Sequence, residues 1–352
     1  MKIAICGYYG VCNMGDEAIL SGLTRVLNAA YPNSSMELLS AGKQFPFGVR
    51  SFVKALFRPG RFCFPYRTMK NCNLFVLGGG GLFTDEEGPF VSTFWILHGL
   101  MALFFKKDVV CLGISIGPMN KINDYLAKKL FSSAKLITVR DQRSVNILKK
   151  WGIESHLMAD FATLIPFDGH KEKNGAPYII MSVRPFVKNS ESLYKIFARF
   201  CDMIIKEYGF DIRFIPFHTG ASSDRGILNR IFTLIHARQH IKIDSYYYNI
   251  PELLQVICNS EAVIGMRLHA GILAGLTGTP FVPISYMSKV SDFWDEFSGI
   301  QAINLKNVTL EALESTFKAV IAKRDSVRQI RQKLLEKARN TEKDLLAALK
   351  NL

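Results

Sequence analysis

An arginine and an imidazole two positions apart, Arg267 and His269, stand where a short apolar run (262–266) gives way to a helix of small residues. Ala270, Gly271, Ala274 and Gly275 line that helix, Gly278-Thr279-Pro280 stops it, and 281–285 reads as the next strand. A strand–helix–strand unit of this kind belongs to an open parallel sheet. Ligands bind there because strand ends leave a crevice and helix N-termini carry partial positive charge. Other candidates also fall at predicted strand ends. Arg184, His218, Tyr286 and Lys289 do so in the second half of the chain, and Asn13, Asp16, Arg140 and the glycines 78–81 in the first. Cations converging on one crevice describe a site for a small, multiply charged anion, because guanidinium grips carboxylate and phosphate with two parallel hydrogen bonds. Imidazole titrates near neutrality, which makes His269 the acid–base candidate.

Each residue also has a plainer use. Arg140 beside Asp141 suits a local ion pair, Arg184 stands next to Pro185 in a similar setting, and His218 before Thr219-Gly220 suits a turn cap. Asp16 in the first turn of a helix complements the helix dipole. Gly7, Gly10 and Gly15 do not space as G-x-G-x-x-G, and no acid closes the second strand to hold a ribose, which argues against a nicotinamide cofactor. The run 78–81 does not continue into a phosphate-loop lysine, which argues against nucleotide triphosphate hydrolysis.

The elements that would position these residues alternate strand and helix. In the first half, strands are expected over 2–6, 36–39, 73–77, 109–116, 134–139 and 156–159. A helix opens near Gly15, with Ile19, Leu20, Leu23, Val26 and Leu27 at helical spacing. The polar, Gly-, Pro- and Lys-rich stretch 165–177 reads as a linker. Beyond it, strands are expected over 178–183, 212–217, 241–244, 262–266 and 281–285, with helices over 190–208, 223–236 and 250–259 between them. From 309 to 349 only helix is expected. The reading is α/β: two doubly wound domains, 1–170 and 171–308, facing a cleft, followed by terminal helices over 309–352.

Composition narrows the class. Half of the 352 residues are apolar (49%), ample for buried cores. Seven cysteines are scattered without a C-x-x-C pair, which suits a reducing cytosol and argues against zinc or a disulfide framework. The opening MKIAICGYYG reads as a strand and glycine turn rather than a signal peptide. Residues 88–105 are uncharged but diluted by Pro89, Ser92, Thr93, His98 and Gly99, so a buried or interfacial helix is expected there rather than a span. A formal charge of +14 asks for an anionic partner, yet no nucleic-acid-binding signature is present. The loop 43–70 carries seven Lys or Arg, no acid and several Phe, which suits an anionic membrane surface; a solvated loop is the plainer alternative.

Six blocks, in order, resemble the polysaccharide pyruvyl transferase family: GYYGVCNMGDEAIL, LGGGGLF, GISIGP, VRDQRS, MADFA and GMRLHAGILAGLTGTPFVPISYMSKV. The likeness covers residues 1 to about 300. It implies a glycosyltransferase-B-like fold, phosphoenolpyruvate as donor, and a product bearing pyruvate as a cyclic ketal on two sugar hydroxyls. By this resemblance Arg267, Leu268 and His269 match the donor-binding segment, with Lys289 and Arg140 as further donor contacts and Arg184 and Asn13 as weaker matches. His269 would exchange protons, while Asp16 would orient or deprotonate an acceptor hydroxyl. His218, Tyr286, Gly79 and Gly80 would line the substrate sites. No metal or cofactor is implied. Acceptors in such a family are often lipid-linked, so a peripheral place at the inner face of the cytoplasmic membrane is expected. Two alternatives stay open: a nucleotide-sugar glycosyltransferase, with Asp224 or Glu252 holding the ribose, and a non-catalytic saccharide-binding protein. The acceptor sugar and the oligomeric state are not legible.

Overall fold

The structure, a computed structural model, describes all residues except 41–65, 87, 89–90, 173–174, 186–189, 221–222, 245–246, 287–300 and 324–325. The chain forms two compact units: residues 1–11, 16–165 and 337–352 make the first, and 12–15 with 166–336 the second.

The first unit is built on β1 (Lys2–Gly7), β2 (Ser35–Ser40), β3 (Leu74–Phe83), β4 (Asp108–Ile116), β5 (Leu136–Val139) and β6 (His156–Leu157). They form one parallel sheet in the order β2-β1-β3-β4-β5-β6. Its helices are α1 (Met14–Ala30), α2 (Tyr66–Asn71), α3 (Val91–Phe104), α4 (Lys121–Phe131) and α5 (Gln142–Lys150). Continuous burial along β1, β3 and β4 is what a parallel sheet covered on both faces requires. The uncharged stretch 88–105 contributes α3, and no helix among the described residues is long and apolar enough to cross a membrane. α4 was not legible as a helix: its basic residues dilute the apolar pattern, and Asn120 caps it by accepting from the Ile122 and Asn123 amides.

The glycine run departs from the expected loop. β3 continues through all four glycines to Phe83, pairing Gly78 with Leu112 and Gly80 with Ile114 of β4. Gly79 and Gly80 have φ of 49° and 92°, open to glycine and strained for other residues. A Cβ on Gly79 would lie 2.0 Å from Ile19 Cγ2, and one on Gly80 3.5 Å from Asp16 Oδ1. The close neighbour these glycines admit is α1.

In the second unit β7 (Tyr178–Ser182), β8 (Asp211–Phe214), β9 (Ile241–Ile243), β10 (Val263–Gly265), β11 (Phe281–Ser285) and β12 (Ile303–Asn304) form a parallel sheet in the order β12-β11-β10-β7-β8-β9. Its helices are α6 (Ser190–Tyr208), α7 (Arg225–Leu234), α8 (Ile250–Asn259), α9 (Leu268–Thr277), α10 (Leu310–Ala322) and the first part of α11 (Ser326–Lys350). The strand order reverses between β7 and β10, the point at which an open sheet offers a ligand site. α8 starts on a full capping box, Asn249 with Glu252, with Pro251 in its first turn.

One buried titratable group gives this fold a pH dependence. His98 on α3 is 3% exposed, its Nδ1 is 2.8 Å from the Phe94 carbonyl, and burial pushes its pKa down from 6.5 to about 4. The unfolded chain therefore binds a proton that the folded chain refuses between those values. Stability is full above pH 6.5 and falls as pH drops toward 4, by about 3 kcal/mol at most for this group. Melting His98→Asn alongside the parent across this window should give a flatter pH dependence for the variant; parallel curves would assign the acid sensitivity to other groups.

Candidate functional site

The C-terminal ends of four neighbouring strands, β11, β10, β7 and β8, carry half of the predicted residues: Tyr286, Arg267, Leu268, His269, Arg184 and His218. β10 ends at Gly265, Arg267 occupies the N-cap of α9 in extended conformation, and Leu268 and His269 open the helix. α9 is buried from Ala270 to Thr277, and one of its small residues admits a close neighbour: a Cβ on Gly275 would meet Leu334 of α11 at 2.5 Å. Its far end turns at Gly278, with φ of 74°, and Arg331 Nε donates to the Leu276 carbonyl at 2.9 Å.

Arg267 is held by Asp224, which has no exposed surface. Arg267 Nη2 donates to Asp224 Oδ1 at 2.5 Å and Nε to Oδ2 at 3.3 Å. These bonds engage the Nε–Nη2 edge and do not use Nη1. Asp224 Oδ2 also accepts from the His218 amide at 3.0 Å, and the Asp224 amide donates to the His218 carbonyl at 2.8 Å, so the carboxylate closes the turn after β8 as well. Sequence reasoning placed Asp224 only as a ribose holder, the role a rival glycosyltransferase would need. In the structure both acids considered for that role have other partners, Asp224 in this pair and Glu252 in the capping box of α8.

Arg184, just past β7, donates from Nη1 to the Tyr286 hydroxyl at 2.6 Å, and its Cζ lies 4.5 Å from the Tyr286 ring centroid. The pair joins the ends of β7 and β11, the strands on either side of β10, so the arginine plane is fixed by stacking and by a hydrogen bond together.

His218 is buried, and its backbone pairs antiparallel with Asn13. The Met14 amide donates to the Phe217 carbonyl and the Thr219 amide to the Cys12 carbonyl, stitching residues 12–14 along 217–219. Asn13 accepts from the Gly15 amide through Oδ1 at 3.1 Å, capping α1. Gly15 then meets His269: a Cβ there would lie 2.3 Å from the imidazole Nδ1. Gly15 is a positioning residue that sequence reasoning overlooked, because nothing in the pattern distinguishes a glycine needed for packing from one needed for a turn.

Four predicted residues belong to the first unit. Asp16 lies in the first turn of α1 near Gly80, and Gly79 packs under Ile19. The Arg140 side chain is 8% exposed and donates from Nη1 to Asp160 at 2.6 Å and from Nε to Ser115 at 2.7 Å. Its ion-pair partner is therefore Asp160; the adjacent Asp141 caps α5 instead. Lys289 lies outside the described residues, as does most of the 43–70 loop. Among the described residues no group of His, Cys, Asp and Glu is placed to hold a metal ion.

The model of the family described as polysaccharide pyruvyl transferase matches residues 13–288, from the Asn13 cap through Arg267 and His269 to just past β11. The chain belongs to that family. The amylovoran biosynthesis protein AmsJ of Erwinia amylovora is 26% identical over 247 residues, a match covering 63% of this chain and 58% of that protein. The chain thus aligns with somewhat over half the length of this relative. Among solved structures, the UDP-GlcNAc 2-epimerase of Methanocaldococcus jannaschii superimposes with a TM-score of 0.56 at 15% identity, over 91% of this chain and 93% of that one. The Staphylococcus aureus MnaA structure gives 0.61 at 12%, over 95% and 90% of the two chains. The Neisseria meningitidis UDP-GlcNAc 2-epimerase gives 0.57 at 10%, over the whole of both. At these identities the likeness establishes a two-domain, glycosyltransferase-B-like α/β fold for the family member described here.

Removing the carboxylate should expose how much rests on it. Asp224→Ala leaves a largely buried guanidinium and a buried amide without their acceptor, and unfolding titrations should show a loss of about 3–5 kcal/mol. Asp224→Asn, which keeps an acceptor, should lose less. Equal stability of Asp224→Ala and the parent would show that the ion pair does not support the fold.

Proposed function

We propose that the protein transfers the enolpyruvyl group of phosphoenolpyruvate to two hydroxyls of a sugar, forming a pyruvate ketal and releasing phosphate. The observation that carries this reading is the α9 N-terminus at the strand-order reversal, where Arg267, held edge-on by Asp224, adjoins His269 and is flanked by the Arg184–Tyr286 pair. Phosphoenolpyruvate bears a carboxylate and a phosphate on three carbons, and helix amides with fixed guanidinium groups suit such an anion.

The chemistry balances without a further reactant. A proton added to the methylene carbon makes it a methyl group and leaves C2 electrophilic. One hydroxyl adds to C2, the C2–O bond to phosphate breaks, and a second hydroxyl closes the ketal. The two hydroxyl protons replace the one delivered to carbon and supply the one that leaves on phosphate. His269 is the proton donor in this scheme, its ring set by contact with Gly15. Arg267 and Arg184 neutralise the donor and the departing phosphate. A lipid-linked saccharide is the acceptor class proposed.

Incubation with phosphoenolpyruvate and acceptor glycans tests this by mass spectrometry. The expected product gains one pyruvate less one water, with one phosphate released per transfer. His269→Gln should abolish transfer. Gly15→Ala should lower it by about 100-fold while the protein stays folded, since an ångström of misplacement at a reacting group costs about that much. Release of a nucleoside diphosphate from a sugar nucleotide, with no phosphoenolpyruvate consumed, would replace this reading with glycosyl transfer.

A further inference from the structure

The helical layer formed by α3 and α4 in the first unit has an outward face unlike that of a water-facing helix. A surface helix ordinarily turns charged side chains outward, but α3 has no charged residue in its 14 positions. Leu97 stays only half-buried on it, Phe94, Leu100, Met101 and Leu103 are half-buried against the core beneath, and Phe104 at its end is 80% exposed. α4 lies alongside. Thr93 donates to Asn123 Oδ1 at 2.8 Å, and a Cβ on Gly99 would lie 2.6 Å from Leu130 Cδ1, so the two helices run in the same direction. α4 adds Ile122 at 71% and Tyr125 at 65% exposure.

The charge around these apolar groups is predominantly basic, although Asp85 accepts from Ser92, Asn120 and Asn123 where α3 and α4 begin. α2, α3, α4 and α5 together carry eight Lys or Arg and a single acid, Asp124. Lys121, Lys128 and Lys129 share the exposed side of α4 with Ile122 and Tyr125, and Lys106 and Lys107 follow closely on Phe104. Successive right-handed crossovers between adjacent parallel strands put α3, α4 and α5 on one face of the sheet.

We propose that this face docks on an anionic lipid bilayer. Phe104, Ile122 and Tyr125 enter the headgroup boundary, and the lysines meet the phosphates of acidic lipids. A broad, predominantly basic field with protruding aromatic and aliphatic side chains fits a laterally continuous anionic surface. A protein partner or a second copy of this basic face would have to supply acids in register. This inference does not depend on the donor or on the reaction proposed above.

Vesicle flotation with the full chain and no substrate tests it. The parent should float with phosphatidylcholine vesicles containing phosphatidylglycerol, less so as salt rises, and remain unbound with pure phosphatidylcholine. Phe104→Ser/Ile122→Ser/Tyr125→Ser should weaken partitioning at least about tenfold, and Lys128→Glu/Lys129→Glu should do the same and reduce the salt dependence. All five positions lie at the surface, so both variants should melt with the parent. Failure of the parent to float would overturn the proposal. So would flotation of both variants at the parent's level, which would move membrane contact elsewhere in the chain. Conversion of a parent dimer to monomer by the triple variant, with no vesicle binding by either, would assign the face to self-association instead.

Discussion

A carboxylate sealed from water is tolerable only when its charge is met by donors, and Asp224 is met by two: the Nε–Nη2 edge of Arg267 and the amide of His218. Those donors sit at the ends of β10 and β8, which lie on either side of β7 in the sheet. Satisfying one buried acid thereby fixes the arginine beside His269 and the turn on which residues 12–14 are stitched. An arginine on a flexible stem would lose rotamer freedom on meeting an anion; one already immobilised does not. The electrostatic cost is that Asp224 offsets part of the positive field. The Nη1 side of Arg267, which Asp224 does not engage, the helix amides and Arg184 remain as attraction for a negative ligand.

The first unit uses the same device in another setting. Arg140 at the end of β5 is joined to buried Asp160 and to Ser115 of β4, while Asp160 also caps the turn over Phe161–Leu164 through the Ala162 amide. An acid that caps a turn while pairing an arginine ties three pieces of chain with one side chain. In both units the arginine's plane is set by more than one hydrogen bond, from Asp224 alone for Arg267 and from Asp160 and Ser115 for Arg140, as planar recognition of anions requires.

Much of this architecture could be read from residue patterns. The apolar runs that became β4, β7 and β11, and the amphipathic spacing of α1, α6 and α8, have few competing interpretations, because a buried parallel strand and a half-buried helix differ in period. In sequence β3 stops at Leu77, because glycine reads as a break. Only the pairing of Gly78 and Gly80 with β4 shows that the strand continues. At the site, Arg267 and His269 stand out through their place between a strand and a small-residue helix. The partners that set them do not. Asp224 lies 43 residues from Arg267, and Gly15 far from His269, so only tertiary structure joins them. Arg140 shows the converse error, since proximity in sequence suggests Asp141 where the fold supplies Asp160.

The span recognised by the family ends at residue 288, yet α9 does not stand on that span alone. Arg331 ties the Leu276 carbonyl at the helix's far end and also donates to the Phe167 carbonyl at 3.2 Å, and Leu334 fills the space Gly275 leaves open. A ten-residue helix has too few internal bonds to hold its own orientation. A recombinant fragment trimmed to the recognised span would keep Arg267, His269 and the Arg184–Tyr286 pair. It would nevertheless lose the brace behind the helix that presents the imidazole.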